Sequence, residues 1–170
     1  MGKAKKREEI SKSAAKSNKS LFKWIALTVT ALLLGGGVVF ALNIPGLGKG
    51  EKVKPVNGAV SIPLSKVSDG KAHFYKFADG GKEIGFFLVK GTDGALHSAF
   101  DACDVCFREK KGYFQEGDFM ICRNCNKKFA IVRIGPHAIG GCNPSYLPHQ
   151  QSAGNAVISV NDLKTGARFF

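Results

Sequence analysis

No cysteine lies outside residues 103–142, and no charged residue interrupts the stretch from Trp24 to Ile44. Acidic residues are scarce, 13 Asp and Glu against 25 Lys and Arg. There is no G-x-S-x-G, no phosphate-binding P-loop and no H-E-x-x-H, so the common signatures of serine hydrolases, nucleotide hydrolases and zinc proteases are missing. No helical period of apolar residues runs between residues 55 and 170. That excludes a helix bundle and an alternating β–α pattern with a parallel sheet. What is abundant points the other way. Thirteen Phe suit a β core, and 21 Gly suit many tight turns.

The net charge of +12 is unevenly spread. Residues 1–48 hold eight Lys or Arg and two Glu, all of them within the leader over residues 1–23. The uncharged stretch 24–44 that follows is long enough to cross a bilayer as a helix. Trp24 stands at its start, where an interfacial aromatic belongs. A basic leader before such a span predicts a cytoplasmic N-terminus and an extracytoplasmic C-terminal domain. The basic run is therefore a topology signal, aided by anionic lipid, and not a nucleic-acid patch. The competing reading is a cleaved signal peptide ending near Val39-Phe40-Ala41, but the apolar stretch is longer than a usual h-region. The predicted organisation is a leader over 1–23, an anchor over 24–44, a flexible linker over 45–58 and a β-domain over 59–170. The expected location is the inner membrane, single-pass, with lipid as one partner.

From Ala59 the chain reads as short strands. AVSIPL alternates, with Val60, Ile62 and Leu64 on one face. HFYKF places His73, Tyr75 and Phe77 opposite Phe74 and Lys76. EIGFFLVK and ALHSAF flank Thr92-Asp93-Gly94, a hairpin signal. GYF and DFMI flank Glu116-Gly117, another. FAIVRI and AVISV follow as strands, and the chain closes through a turn at Lys164-Thr165-Gly166 into ARFF.

Cys103 and Cys106 form one C-x-x-C, and Cys122 and Cys125 form a second. Each pair follows a predicted strand, and the hairpin between them can bring the two turns together. Four thiolates so placed suit zinc or iron, including an iron–sulfur cluster. Two disulfides, or a redox dithiol beside a structural pair, are the alternatives. A thioredoxin-like dithiol would sit near a β–α–β pattern, and none is visible. His73 and His97 fall inside strands and read as surface or packed residues. His137 and His149 lie nearer the cysteine loops, and His137 is a candidate cofactor contact. Asp101, Asp104, Glu116 and Asp118 lie too near turns to be claimed as catalytic carboxylates. Phe107, Tyr113, Phe114 and Phe129 could form an apolar collar that limits water at the site. Lys110-Lys111 and Lys127-Lys128 flank it, as a solvated face or as a rim for an acidic redox partner.

The order of these segments resembles the Rieske iron–sulfur fold. There a hairpin leads into one ligand loop, a strand into a second, and a Gly/Pro loop covers the cluster. FFLVKGTDGALHSAFDAC, CRNC and GPHAIGGCNPSYLP occupy those places. The resemblance implies a small antiparallel β-domain and puts Cys142 in the cover loop, beside the four-cysteine site. Both loops here are C-x-x-C, whereas a Rieske centre has two imidazole ligands. An all-thiolate set removes the imidazoles that raise a Rieske potential.

A second resemblance is to the FtrD-like membrane iron–sulfur protein family. It is carried by Cys103, Cys106, Gly112, Tyr113, Cys122, Cys125, Phe129, Gly140, Gly141, Cys142, Asn143, Pro144 and Leu147. It implies a membrane protein tied to iron handling or respiratory electron transfer, with membrane redox or iron-transport proteins as partners. Two functions compete on these grounds. One is an anchored electron carrier with an iron–sulfur or thiolate-bound iron centre. The other is a structural or binding subunit stapled by zinc. An enzyme using Cys142 ranks below both, because the sequence supplies no substrate pocket.

Overall fold

A computed structural model describes residues 50–138 and 140–170. The predicted leader, the anchor over 24–44 and residues 45–49 of the linker lie outside them. Among the described residues no helix is long and apolar enough to cross a membrane.

The described chain is ten short strands in three sheets with one short helix. Four strands form the middle sheet: β1 (Glu51–Val53), β3 (His73–Asp79), β4 (Lys82–Lys90) and β5 (Leu96–Phe100), in the order β1-β3-β4-β5. A second sheet has the order β2-β10-β9, from β2 (Ala59–Pro63), β9 (Gln150–Ser152) and β10 (Asn155–Ser159). The third is β6 (Tyr113–Glu116), β7 (Phe119–Cys122) and β8 (Lys128–Ala130), in chain order. All pairings are antiparallel except β1 with β3.

The middle sheet is buried on both faces, and β4 shows why its sequence runs apolar without a break. Ile84, Phe86 and Leu88 enter one core with Tyr75, Phe77 and Phe100, and with Val60, Ile62, Ala156 and Ile158 of the second sheet. Phe87 and Val89 enter the other core with Ala99, Tyr113, Met120 and the cysteines. A strand covered on both sides needs apolar residues at consecutive positions, so GFFLV does not alternate. Phe86 and Phe87 are both fully buried, and each such burial contributes about 2–3 kcal/mol. Phe74, Phe87, Tyr113 and Phe129 form a row with ring centroids 5.6, 6.4 and 6.4 Å apart. That row carries the middle sheet's packing into the cysteine sheet.

The hairpins turn where glycine permits. Gly80 and Gly81 both have positive φ between β3 and β4, as the favoured two-residue turn requires. Gly117 does the same between β6 and β7.

Three segments differ from the sequence reading. Glu51–Val53, inside the predicted linker, form β1, whose register sets Glu51, Lys52 and Val53 against Tyr75, Lys76 and Phe77. A polar three-residue edge strand carries no alternation signal of its own. FAIVRI is a strand only to Ala130, and Ile131–Arg133 then form a 3₁₀ turn. The expected closing turn and strand are instead a helix, α1 (Val160–Thr165), continued by a 3₁₀ turn over Gly166–Phe169. Ser159 caps it. Its Oγ accepts the Asp162 N–H at 3.0 Å, satisfying one of the free N–H groups of the helix's first turn, and donates to the Asp162 carboxylate at 2.6 Å.

Candidate metal centre

Cys103 and Cys106 lie in the loop leaving β5, and Cys106 opens a 3₁₀ turn over Phe107–Glu109. Cys122 ends β7, opposite Tyr113 of β6. A tight turn follows, with Asn126 N–H donating to Cys122 O at 2.9 Å and Cys122 N–H to Lys127 O at 3.0 Å. Asn126 takes a positive φ there, a conformation Asn tolerates better than most residues. The third cysteine loop is held against the end of β5. Phe100 N–H donates to Ser145 O at 2.8 Å, Ser145 N–H to Ala102 O at 3.0 Å, and Tyr146 bridges Ala99. That pairing brings Cys142 back to the first loop.

All five cysteines are free thiols, and they converge. The sulfurs of Cys103, Cys106 and Cys122 lie within 4.8 Å of one another, and so do those of Cys106, Cys125 and Cys142. Cys106 belongs to both groups. Its sulfur is 3.6 Å from that of Cys142. The sequence reading set Cys142 beside a set of four; here its sulfur stands in a group with Cys106 and Cys125. His137 is exposed on its loop and belongs to neither group. His149 is bound elsewhere, with Nδ1 2.6 Å from Ser98 Oγ. Cys103, Cys122 and Cys142 are buried, and Cys106 and Cys125 are half-buried.

Backbone donors point at the sulfurs. Cys106 N–H donates to the Cys103 sulfur at 3.1 Å. The N–H groups of Cys125 and Asn124 donate to Cys122, and that of Lys127 donates to Cys125. Such bonds stabilise thiolates over thiols. Burial pushes Cys122 up to about 11, against its two N–H donors. Burial also opposes ionisation of Cys125, but the Lys127 N–H and the thiols of Cys142, Cys122 and Cys106 outweigh it and bring it down to about 7. Burial, then hydrogen bonds with Cys125 and Cys106, hold Cys142 above the ordinary thiol range. Closely packed thiols cannot all ionise on their own, and a bound cation reverses that balance.

Two residues support the site through hydrogen bonds that the sequence did not reveal. Tyr113 is buried, and its hydroxyl donates to Cys142 O at 2.6 Å. It thereby ties the third loop to the hairpin that carries Cys122. Asp101 accepts the Tyr113 N–H at 2.7 Å, and burial, partly offset by that bond, pushes its carboxyl up to about 7. The signal for Asp101 is glycine. A Cβ on Gly112 would collide with its carboxylate, and one on Gly85 would lie 3.5 Å from its Cβ. The predicted aromatic collar is divided. Tyr113 and Phe129 pack in the core that holds the thiols. Phe107 turns away to Phe169, at 5.8 Å between centroids, and Phe114 lies under the Arg123 guanidinium at 5.0 Å. A cavity of about 220 Å³ opens beside Cys103, Cys106 and Cys122, rimmed by Lys76, Lys110 and Lys111.

The donor set fits a thiophilic metal. Among the described residues neither sulfur group includes a carboxylate or an imidazole, and sulfur-only sites select zinc or iron–sulfur centres over hard cations. Comparison with curated proteins gives no match. The family described as "Membrane iron-sulfur containing protein FtrD-like" matches residues 67–170, from Val67 between β2 and β3 through all five cysteines. That match covers more than half of the chain, and the protein belongs to the FtrD-like family of membrane iron–sulfur proteins.

Proposed function

We propose that this protein is an extracytoplasmic electron carrier anchored in the inner membrane, serving iron handling or respiration through a cysteine-bound iron or iron–sulfur centre. The observation that carries this reading is the convergence of all five cysteine sulfurs into two overlapping groups, with no other ligand type in either among the described residues. Cys103, Cys106, Cys122 and Cys125 supply the paired loops, and Cys142 closes on them from a third. When bound, the iron centre accepts and releases single electrons. The chain's own residues fit that task. The N–H groups of Cys106, Asn124, Cys125 and Lys127 stabilise negative charge on sulfur in either redox state. The buried Tyr113 and the half-buried Phe129 pack against the thiols and limit water there. Cys125 is half-buried, which leaves its sulfur near the surface for exchange with a partner. The uncharged span over 24–44 holds the carrier beside membrane redox proteins.

Iron, zinc and acid-labile sulfide measured on the anaerobically purified full-length chain test this reading. Iron at the cysteines is expected. A colourless chain with zinc and no iron would make the site a structural staple instead. A reporter that works only outside the cytoplasm, fused after Phe170, is expected to be active; silence there with activity of a cytoplasmic reporter would overturn the topology.

A further inference from the structure

A single tetrahedral ion bound by four thiolates at about 2.3 Å needs its sulfurs about 3.8 Å apart in every pair. Two C-x-x-C turns suggest such a set of four. The structure arranges the sulfurs differently, as two groups of three that share one member, Cys106. Cys106 is placed to serve both. It starts the 3₁₀ turn that follows Cys103, and its sulfur is 3.6 Å from that of Cys142, close to the edge of a metal–thiolate tetrahedron. One ion in the Cys103 group would leave Cys125 and Cys142 without metal. One ion in the other group would strand Cys103 and Cys122, both buried. Two ions use every thiol. Metal-bound cysteines are deprotonated, so two divalent cations would neutralise four of the five thiolate charges, and one cation only two.

We propose that the centre holds two divalent thiophilic ions, with Cys106 as the thiolate shared between them. Cys103 and Cys122 complete the ligands of one ion, and Cys125 and Cys142 those of the other. Three protein ligands leave each ion one open position, available to sulfide, water or a ligand entering from the adjacent cavity. The proposal rests on the reading that these cysteines bind metal, and adds the number of ions and the role of each thiol.

Cobalt(II) is the probe. The full-length chain, in detergent, reduced, stripped of metal and kept anaerobic, is titrated with cobalt(II). Thiolate-to-cobalt charge-transfer absorbance counts ions at the cysteines, and paramagnetic resonance reports whether they interact. Two equivalents are expected, with the resonance of the first ion fading as the second enters, because a shared sulfur couples their spins. Cys142→Ser keeps the backbone carbonyl that Tyr113 binds, and is expected to lower the stoichiometry from two to one with an undiminished resonance. Saturation at one equivalent in the unaltered chain, which needs no variant to fold, would overturn the two-ion proposal and leave metal binding intact. Two equivalents without coupling would overturn the sharing of Cys106. No charge-transfer band at all would overturn the metal-binding reading itself.

Discussion

Tyr113→Phe removes one oxygen from the centre of the site and little else. The phenol donates to Cys142 O at 2.6 Å, and the residue is 2% exposed. The ring keeps its contacts with Phe87 and Phe129, both at 6.4 Å between centroids, so no cavity larger than the hydroxyl is made. What is lost is the only hydrogen bond described for that carbonyl. A buried acceptor left without a partner costs about 1–3 kcal/mol, more than the net worth of an ordinary hydrogen bond. For a domain of this size that corresponds to a melting shift on the order of 5 °C per kcal/mol. The single Trp lies at position 24, outside the β-domain, so urea unfolding is best followed by circular dichroism of the reduced, metal-free chain. Tyr113→Phe is expected to lose about 1–3 kcal/mol, and to release metal from the Cys142 side faster once loaded. Stability within about 0.5 kcal/mol of the parent, the range of a neutral surface change, together with unchanged metal release, would refute the claim that Tyr113 anchors the third loop.

Gly112→Ala is expected to lose about 2–4 kcal/mol, from a positive-φ backbone and an overpacked contact. Gly112 has φ +64, and its Cβ would strike the Asp101 carboxylate; an equally stable variant would contradict that placement. Burial, with the His97 charge nearby, holds His149 below its ordinary value of 6.5. The unfolded chain therefore takes up this proton before the folded chain does. Its stability contribution is full above pH 6.5 and is lost as pH falls from there through the folded value, by at most about 1.4 kcal/mol per pH unit. Urea unfolding between pH 5 and 8 should show a shallower fall for His149→Gln than for the parent, and identical slopes would refute the assignment. Ser159→Ala removes the cap of α1 and is expected to cost about 1 kcal/mol by the same unfolding assay; no change would show that the cap does not hold the helix.

The strands were legible where local chemistry and tertiary packing agree. Val60 and Ile62 face one core as their alternation requires. Gly80-Gly81 and Gly117 mark their turns because the backbone there adopts conformations that suit glycine. Spacing and the intervening hairpin point to Cys103, Cys106, Cys122 and Cys125 as one set of four, whereas the sulfurs stand in two groups that share Cys106 and include Cys142. That grouping was not legible, because it depends on a distant pairing, that of Ser145 with Phe100 and Ala102. Glu51–Val53 escaped notice because the ladder with β3, not their own pattern, makes them a strand. At the end of the chain α1 is six residues long, too short for a helical period, and only its Ser159–Asp162 cap announces it. Asp101, which nothing marks as catalytic, has a structural role that only the fold reveals, since its carboxylate accepts Tyr113 N–H at 2.7 Å.

The central claim is that these cysteines hold a redox-active iron centre. Its most direct test is a reversible redox titration of the anaerobically purified full-length chain, followed by visible absorbance and paramagnetic resonance. Thiolate ligation without imidazole predicts one-electron reduction at a low potential, nearer the plant-type ferredoxin value of about −400 mV than the Rieske range of about −150 to +300 mV. A chain with no absorbance that can be reduced and restored, holding only zinc, would contradict the account.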